Sequence, residues 1–280
     1  MDDKQIEFIK QELLRKQNEA WQDYDEYRPP ELYHYTTADG FRGIIEGRQL
    51  WCTDVTEVND PREGDHGMSV IRSILARKSV YKKFVEVVSR SSSLFGMKQN
   101  WTGYIACFCS AGELPHMWAD YASGGSGYAL VFDYRSLFAG CNGGKNYTVF
   151  RILYDKAMQI RKAEQMVDRA IYLERELSVP RRDRDQFWME VEFALLSCAV
   201  RFKDSNWSRE EECRLWVSGG PDTGPFEAFG KHRVKINFDP GCLLRVVRGK
   251  AATDLSSDQI RGLLQRHGFA PEVAVAEAAL

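Results

Sequence analysis

The run Tyr128-Ala129-Leu130-Val131-Phe132 is the most strand-like stretch of the chain. Every side chain in it is apolar, so both faces of the strand would be covered, which is typical of a strand in the interior of a sheet. A flexible loop, Ala122-Ser123-Gly124-Gly125-Ser126-Gly127, precedes it. This loop leads into a strand, so it lacks the helix N-terminus that binds phosphate in glycine-rich loops.

Other strands and helices surround this run in no regular alternation. Strands are predicted at 31–35, 50–52, 104–109, 149–154, 213–217, 232–238 and 243–247. Helices are predicted at 2–23, 68–89, 114–121, 156–178, 185–202 and 257–267, with one more that Thr36 or Thr37 caps and Gly47 ends. Because no glycine fingerprint follows the first strand, a doubly wound dinucleotide fold is disfavoured, and the α+β class is predicted.

The chain divides into three predicted parts. Residues 1–30 form an amphipathic leading helix, with Ile6, Ile9, Leu13 and Trp21 at helical spacing, which would pack on the domain or on a partner. Residues 31–250 form the main domain, with a helical insertion at about 156–202. Residues 251–280 hold a final helix and a loose tail.

Composition excludes several classes of protein. The 280 residues include 38 Lys+Arg and 40 Asp+Glu, for a net charge of −2, and 44% are apolar, which excludes global disorder. Near-neutral charge argues against a uniformly basic nucleic-acid binder. It leaves room for a local basic patch, because Lys231, Arg233 and Lys235 alternate on one strand face and can meet phosphates. The alternative is that this strand face is exposed to solvent and binds no phosphate.

The seven cysteines are odd in number and show no C-x-x-C spacing, which predicts reduced thiols and a cytoplasmic protein. The N-terminus has no signal pattern, and no apolar run is long enough for a membrane span. Cys107, Cys109 and His116 offer ligand types without the spacing of a tetrahedral site, so no metal is expected.

The strongest chemical candidate is the stretch 207–217, which alternates from Glu210 onward. One predicted face is largely apolar and holds Glu211, Cys213, Leu215 and Val217; the other holds Glu210, Glu212, Arg214 and Trp216. Two carboxylates at i and i+2 lie about 7 Å apart and can contact one sugar-sized ligand. Arg214 can keep Glu212 ionised. The alternative, which the pattern alone favours, is a solvated ladder of opposite charges.

Two further motifs carry polar or aromatic groups. In Tyr33-His34-Tyr35-Thr36, the imidazole can bond a ligand hydroxyl or transfer a proton, and Tyr35 can stack on a flat ring. In His116–Tyr121, Trp118 and Tyr121 share a helix face and can line an aromatic wall. The alternatives are a half-buried aromatic strand and ordinary core packing.

Six motifs in this order resemble a bacterial family, domain of unknown function 2971, over about residues 31–217. They are Leu32-Tyr33-His34-Tyr35, Val58-Asn59-Asp60-Pro61, Cys107-Phe108-Cys109, Met117-Trp118-Ala119-Asp120-Tyr121-Ala122, the strand from Gly127 to Phe132, and Trp207 with Glu210, Glu212 and Arg214. Val58 stands where Phe is common in the family, and Cys109 where Ser is common.

The motif order is also similar to that of ADP-ribosyltransferases, which implies a mixed, largely antiparallel split sheet. In that superfamily an early strand carries His or Arg and a late strand carries the catalytic Glu. The resemblance implies that Glu212 stabilises an oxocarbenium-like ribose of NAD and that Glu210 positions or deprotonates the acceptor. It implies that His34 holds a ribose hydroxyl. The other NAD-binding residues would be Tyr35, Thr36, Trp118, Tyr121 and Arg214.

The resulting hypothesis is an NAD-consuming ADP-ribosyltransferase-like enzyme, a bacterial toxin or a phage-defence effector. NAD would be its substrate, a protein or nucleic acid its acceptor, and a regulatory partner would bind the leading helix. No membrane contact is expected. Two alternatives remain open: an NAD or nucleotide glycohydrolase on the same fold, and a non-catalytic module that binds nucleotide, RNA or protein.

Overall fold

The computed structural model describes residues 2–55, 57–58, 63–78, 80, 82–90, 103–140, 147–218 and 224–279. The chain forms two compact units. Unit 1 comprises Met1–Tyr27, Val58–Trp101 and Ile152–Ser208, and unit 2 comprises Arg28–Glu57, Thr102–Arg151 and Arg209–Leu280. The predicted leading helix and helical insertion therefore share one unit. Of the motif at 58–61, Asn59, Asp60 and Pro61 lie outside the described residues.

Unit 1 is helical. Its helices are α1 (Asp3–Asp25), α3 (Glu63–Leu75), α4 (Lys82–Arg90), α7 (Lys156–Glu176) and α8 (Arg184–Ala199). The predicted single helix over 68–89 is therefore two helices. In α1, Asp2 and Gln5 form a capping box, and the apolar stripe buries Ile9, Leu13 and Trp21 against α7 and α8. The leading helix thus packs on this chain's own helices.

Unit 2 is built on a sheet of ten strands. They are β1 (Glu31–Thr36), β2 (Gln49–Asp54), β3 (Gly103–Cys109), β4 (Tyr128–Asp133), β5 (Tyr147–Arg151), β6 (Glu212–Ser218), β7 (Phe226–Ala228), β8 (Lys231–Asn237), β9 (Leu243–Arg248) and β10 (Ala274–Glu277). The path runs β10-β9-β4-β1-β3-β2-β8-β7, while β6 pairs with β3 and β5. All these pairings are antiparallel except that of β10 with β9. The α+β prediction is confirmed.

Local signals explain several elements of unit 2. The strand β4 lies inside the sheet between β1 and β9, as its apolar faces predict. The helices of unit 2 are α2 (Ala38–Gly47), α5 (Pro115–Tyr121), α6 (Tyr134–Gly140) and α9 (Ser257–Arg266). The Thr37 hydroxyl caps α2 by accepting from the Gly40 amide. The sequence did not predict α6, β7 or β10, and Ala274–Glu277 is a strand where a loose tail was expected.

The sheet splits at β3. Over its full length β3 pairs with β6, which occupies one of its two hydrogen-bonding edges. The other edge is shared, because β1 pairs there at Tyr33↔Cys109 and β2 pairs at Thr53↔Ile105 and Asp54↔Tyr104. Residues 106–108 of β3 therefore lie between the ends of two diverging strands, and the sheet is open there.

The two faces of the sheet have different surroundings. One face, called here the core face, carries the large apolar cluster that includes Leu32, Phe108, Leu130, Cys213 and Leu215. The opposite face, called here the site face, carries a smaller cluster that includes Tyr35, Cys109 and Trp118, and helix α5 packs on it. Among the described residues, no helix is both long and apolar enough to cross a membrane.

Candidate functional site

The centre of the site is an ion pair at the start of β6. Glu212 and Arg214 are two residues apart on one strand and so share the site face. The Arg214 Nε donates to Glu212 Oε1 at 2.6 Å and Nη2 donates to Oε2 at 3.1 Å. Glu212 is 5% exposed and Arg214 is 1% exposed, so this pair is not a solvated charge ladder. Burial lowers the pKa of the Arg214 guanidinium to about 9.

A second buried carboxylate, Glu210, comes from the turn before the strand. Glu210 ends a 3-10 helix, Ser205–Glu210, and β6 begins only at Glu212. Between them, Glu211 adopts a left-handed conformation with φ 45°, and its carbonyl accepts from the Ser110 amide at 2.9 Å. The predicted alternation from Glu210 is therefore wrong at its first two positions, and Glu211 is exposed rather than packed on the core face.

Tyr121, at the end of α5, holds the Glu210 carboxylate in place. Its hydroxyl donates to Glu210 Oε1 at 3.1 Å. Glu210 is 5% exposed, whereas Tyr121 is 36% exposed and reaches solvent at its other side. The role of Tyr121 in lining an aromatic wall stays a prediction, and its hydroxyl contacts a carboxylate of the same site.

The charges of both carboxylates act on the buried thiol of Cys109. Cys109 pairs directly with Glu212 across β3 and β6, so both side chains lie on the site face. Burial raises the pKa of this thiol far above its usual range, and the charges of Glu212 and Glu210 raise it further. Both carboxylates thus act on one buried sulfur, and Cys109 remains a neutral thiol rather than a nucleophile.

Aromatic side chains border this cluster. Tyr35 lies on the site face, and its ring meets Trp118 edge to face at 5.1 Å. Burial raises the pKa of Tyr35 to about 12. Trp118 is 6% exposed, and its indole Nε1 has no hydrogen-bond partner in the described part of the chain. A buried donor without a partner is uncommon and is satisfied by a bound polar group in many sites.

His34 and Thr36 lie on the other side of the sheet. Strand alternation puts them on the core face, while Tyr33, Tyr35 and Glu212 are on the site face. The His34 ring meets Phe108 at 5.5 Å, and its Nδ1 donates to the Cys107 carbonyl at 2.9 Å. It therefore fills the split in the sheet. Burial lowers the pKa of His34, which favours the neutral ring with a lone pair on Nε2.

One polar network on the site face was not predicted. Arg245 of β9 donates to both Glu31 oxygens at 2.9 and 2.7 Å and to the Tyr33 hydroxyl at 2.8 Å. Because Glu31 and Arg245 are far apart in sequence and meet only through the pairing of β4 with β1 and β9, no local signal predicts this contact.

Within the described residues, no group of three or more His, Cys, Asp or Glu side chains is arranged to hold a metal ion. The arrangement instead offers two buried carboxylates, a guanidinium, a phenol and an unpartnered indole donor. These groups can bind hydroxyls and stabilise developing positive charge.

In comparison with known proteins, a family model matches part of the chain, and no activity comes with it. No curated protein and no solved structure matches the chain. The resemblance that the motifs predict is confirmed over residues 117–215, which match the model of the family described as protein of unknown function (DUF2971).

Proposed function

We propose that this protein is an NAD-consuming enzyme that transfers ADP-ribose, with its site at the Glu210–Glu212 cluster. The observation that carries the proposal is the pair of buried carboxylates on the site face, each held by a different partner. Cleavage of a glycosidic bond proceeds through an oxocarbenium-like ribose, and two carboxylates with separate roles are the usual means of stabilising it.

Glu212 stabilises the positive charge on the ribose. As the bond between C1′ and the nicotinamide nitrogen breaks, its electron pair leaves with nicotinamide, and Glu212 lies against the 2′-hydroxyl and C1′. Arg214 fixes the carboxylate through two hydrogen bonds, so its orientation is set before the substrate arrives. Tyr35 and Trp118 offer aromatic surface for nicotinamide, and the indole Nε1 offers a donor.

Glu210 activates the acceptor. Its oxygen takes the proton of an acceptor hydroxyl or amine as that atom bonds to C1′. The Tyr121 hydroxyl holds Glu210 in position for this step. Water in the acceptor's place would give hydrolysis of NAD, so glycohydrolase activity is the second outcome that the same groups support.

His34 and Thr36 lie on the core face, away from Glu212, and a separate role is proposed for His34. The neutral His34 ring offers its Nε2 as an acceptor for a ribose hydroxyl at the split in the sheet. This contact requires that the ligand enter the split, whereas Glu212 acts from the site face. The proposal for Glu212 therefore does not depend on His34 or on Thr36.

The direct test uses NAD labelled in its adenine half, incubated with the protein and cell extract. We expect label transfer and NAD loss with the wild type and a fall of about 100-fold or more with Glu212→Gln. Glu272→Gln is the matched control, since Glu272 is an exposed carboxylate outside the cluster. Equal NAD loss in the wild type and Glu212→Gln, with both folded by circular dichroism, refutes the enzyme proposal.

The same samples separate the alternatives. Free ADP-ribose without a labelled macromolecule would identify the protein as a glycohydrolase. Saturable NAD binding without turnover assigns a non-catalytic module. A toxin or phage-defence role is part of the proposal, and growth arrest on expression, relieved by Glu212→Gln and not by Glu272→Gln, would support it.

A further inference from the structure

A partly exposed group of aromatic and basic side chains lies at the end of the sheet formed by β2, β8 and β7. We call it the aromatic–basic patch and define it as Trp51, Phe226, Phe229, Arg233 and Lys235. Two strand pairings bring it together, since Trp51 is opposite Lys235 and Phe226 is opposite Arg233. All five residues belong to unit 2.

Cations and rings alternate in this patch. The Arg233 guanidinium lies 5.6 Å from the Trp51 ring centroid and 5.5 Å from that of Phe229. The Lys235 ammonium lies 5.6 Å from Trp51 and 4.8 Å from Phe226. Such contacts hold the cations against the rings while leaving their charge available.

The acidic residues nearby face the other way. Strand alternation puts Glu227 and Asp54 on the opposite face. The Glu57 carboxylate is engaged there by the His232 ring at 2.7 Å. Within the described residues, neither Arg233 nor Lys235 forms an ion pair, and the buried Arg233 Nε has no hydrogen-bond partner. Among the parts of the chain that the structure describes, the patch therefore presents positive charge without a counter-ion.

The Phe229 ring contacts Trp51 and Arg233 of the patch but is mostly exposed to solvent. Phe229 lies in the turn between β7 and β8, is 86% exposed, and has a φ of 53°, which is unfavourable for a bulky side chain. Gly230, the next residue, also has a positive φ, of 70°, so the turn is of the kind that favours Asn-Gly. A strained and solvated phenyl ring is better explained by a ligand than by folding.

The patch is on the site face. One row of paired residues crosses the sheet from Trp216 through Ile105 and Thr53 to Arg233, and side chains in such a row share a face. Trp216 shares its strand face with Glu212 and Arg214. Strand spacing and rise place Glu212 about 20 Å from Arg233, a few nucleotides of extended single strand.

We propose that the aromatic–basic patch binds single-stranded nucleic acid, which is the acceptor class for the Glu210–Glu212 site. Stacking platforms that alternate with cations suit a strand whose bases are unpaired, because bases stack on the rings while phosphates meet the cations. An acidic protein would use the cations but has no need of three rings. The acceptor role rests on the proposed function, whereas binding does not.

The test measures fluorescence anisotropy of labelled 16-nucleotide RNA and DNA single strands of one mixed sequence, with the matching duplex as competitor. The full chain carries Glu212→Gln so that binding is separated from turnover. We expect saturable binding to one or both strands and a Kd at least about fivefold weaker in Phe229→Asn, which keeps a residue suited to the turn. Lys235→Gln should reduce the slope of log K against log salt by about 0.7.

Matched controls lie away from the patch. Tyr172→Gln removes an exposed ring that also lies beside an arginine, and Arg135→Gln removes an exposed charge. The proposal is overturned if neither single strand binds, if the duplex competes as well as the strand, or if the patch variants bind as the controls do. Single-strand binding, combined with no NAD consumption by the wild-type protein, would keep the patch and refute the enzyme proposal. NAD consumption by the wild type without single-strand binding would do the reverse.

Discussion

Arg214 binds Glu212 through two hydrogen bonds, of 2.6 and 3.1 Å, and both side chains are buried. A buried ion pair of this kind is costly to break, because removal of one partner leaves the other charge without compensation. The pair is therefore both the centre of the candidate site and a constraint on folding. A variant that tests catalysis at this pair also changes the stability of the fold, so stability and activity have to be measured together.

We expect Arg214→Met to lower the free energy of unfolding by about 3–5 kcal/mol, because it leaves the buried Glu212 carboxylate without a compensating charge. Urea denaturation at pH 7 measures the change. The control is Arg261→Met, which breaks an exposed pair with Asp258 and should change stability by less than about 0.5 kcal/mol. Adding Glu212→Leu to Arg214→Met should restore most of the loss. If Arg214→Met costs no more than Arg261→Met, the ion pair is not buried as described.

We expect Tyr121→Phe to reduce the kcat of ADP-ribosyl transfer about tenfold or more, since it removes the hydrogen bond that positions Glu210. KM for NAD should change little, because Glu210 acts on the acceptor. Thermal unfolding should show a stability change below about 1 kcal/mol, since Tyr121 is 36% exposed. Tyr172→Phe on α7 is the control. An unchanged kcat in Tyr121→Phe would show that the Tyr121 hydroxyl does not position Glu210 for the reaction.

The sequence predicted those features that depend on local periodicity. Cys213, Leu215 and Val217 lie on the core face as their alternation indicates, and Thr37 caps α2. These follow from the local pattern of burial along a strand and from a side chain that competes for free amides at a helix end.

Features set by non-local pairing could not be predicted. The opposition of His34 and Glu212 depends on the register Tyr33↔Cys109↔Glu212, which joins three distant segments. Glu210 lies outside the strand because Glu211 adopts a left-handed conformation. Glutamate seldom adopts that conformation, so the sequence gives no sign of it. Glu211 is stabilised there by Ser110, about one hundred residues away along the chain.

The pKa values of two histidines of unit 2 should be shifted in opposite directions. Burial lowers the pKa of His34, so its neutral form contributes stability that is complete above about pH 6.5 and is lost as the pH falls through the lowered value. The hydrogen bond that His232 donates to Glu57 raises the pKa of His232. The stability that its protonated form contributes is therefore present below about pH 6.5 and is lost as the pH rises through the raised value.

NMR titration of the imidazole protons checks both shifts. Glu57→Gln should return the pKa of His232 toward 6.5 and leave that of His34 unchanged. His34→Gln should reduce the slope of stability against pH below about 6.5. A His34 pKa at or above 6.5 would contradict its burial in the split.

The thiols of Cys107 and Cys109 should react at very different rates. The two residues share the site face of β3, yet Cys107 is exposed while Cys109 is buried beside two carboxylates. Because the thiolate is the reactive form, we expect iodoacetamide at pH 8 to alkylate Cys107 at least about tenfold faster, as measured by mass spectrometry of the peptides. Cys107→Ser and urea-unfolded protein are the controls. If Cys109 reacts as fast as Cys107 in the folded protein, solvent reaches the space under α5, and Glu210 and Glu212 are hydrated carboxylates rather than preorganised catalytic groups.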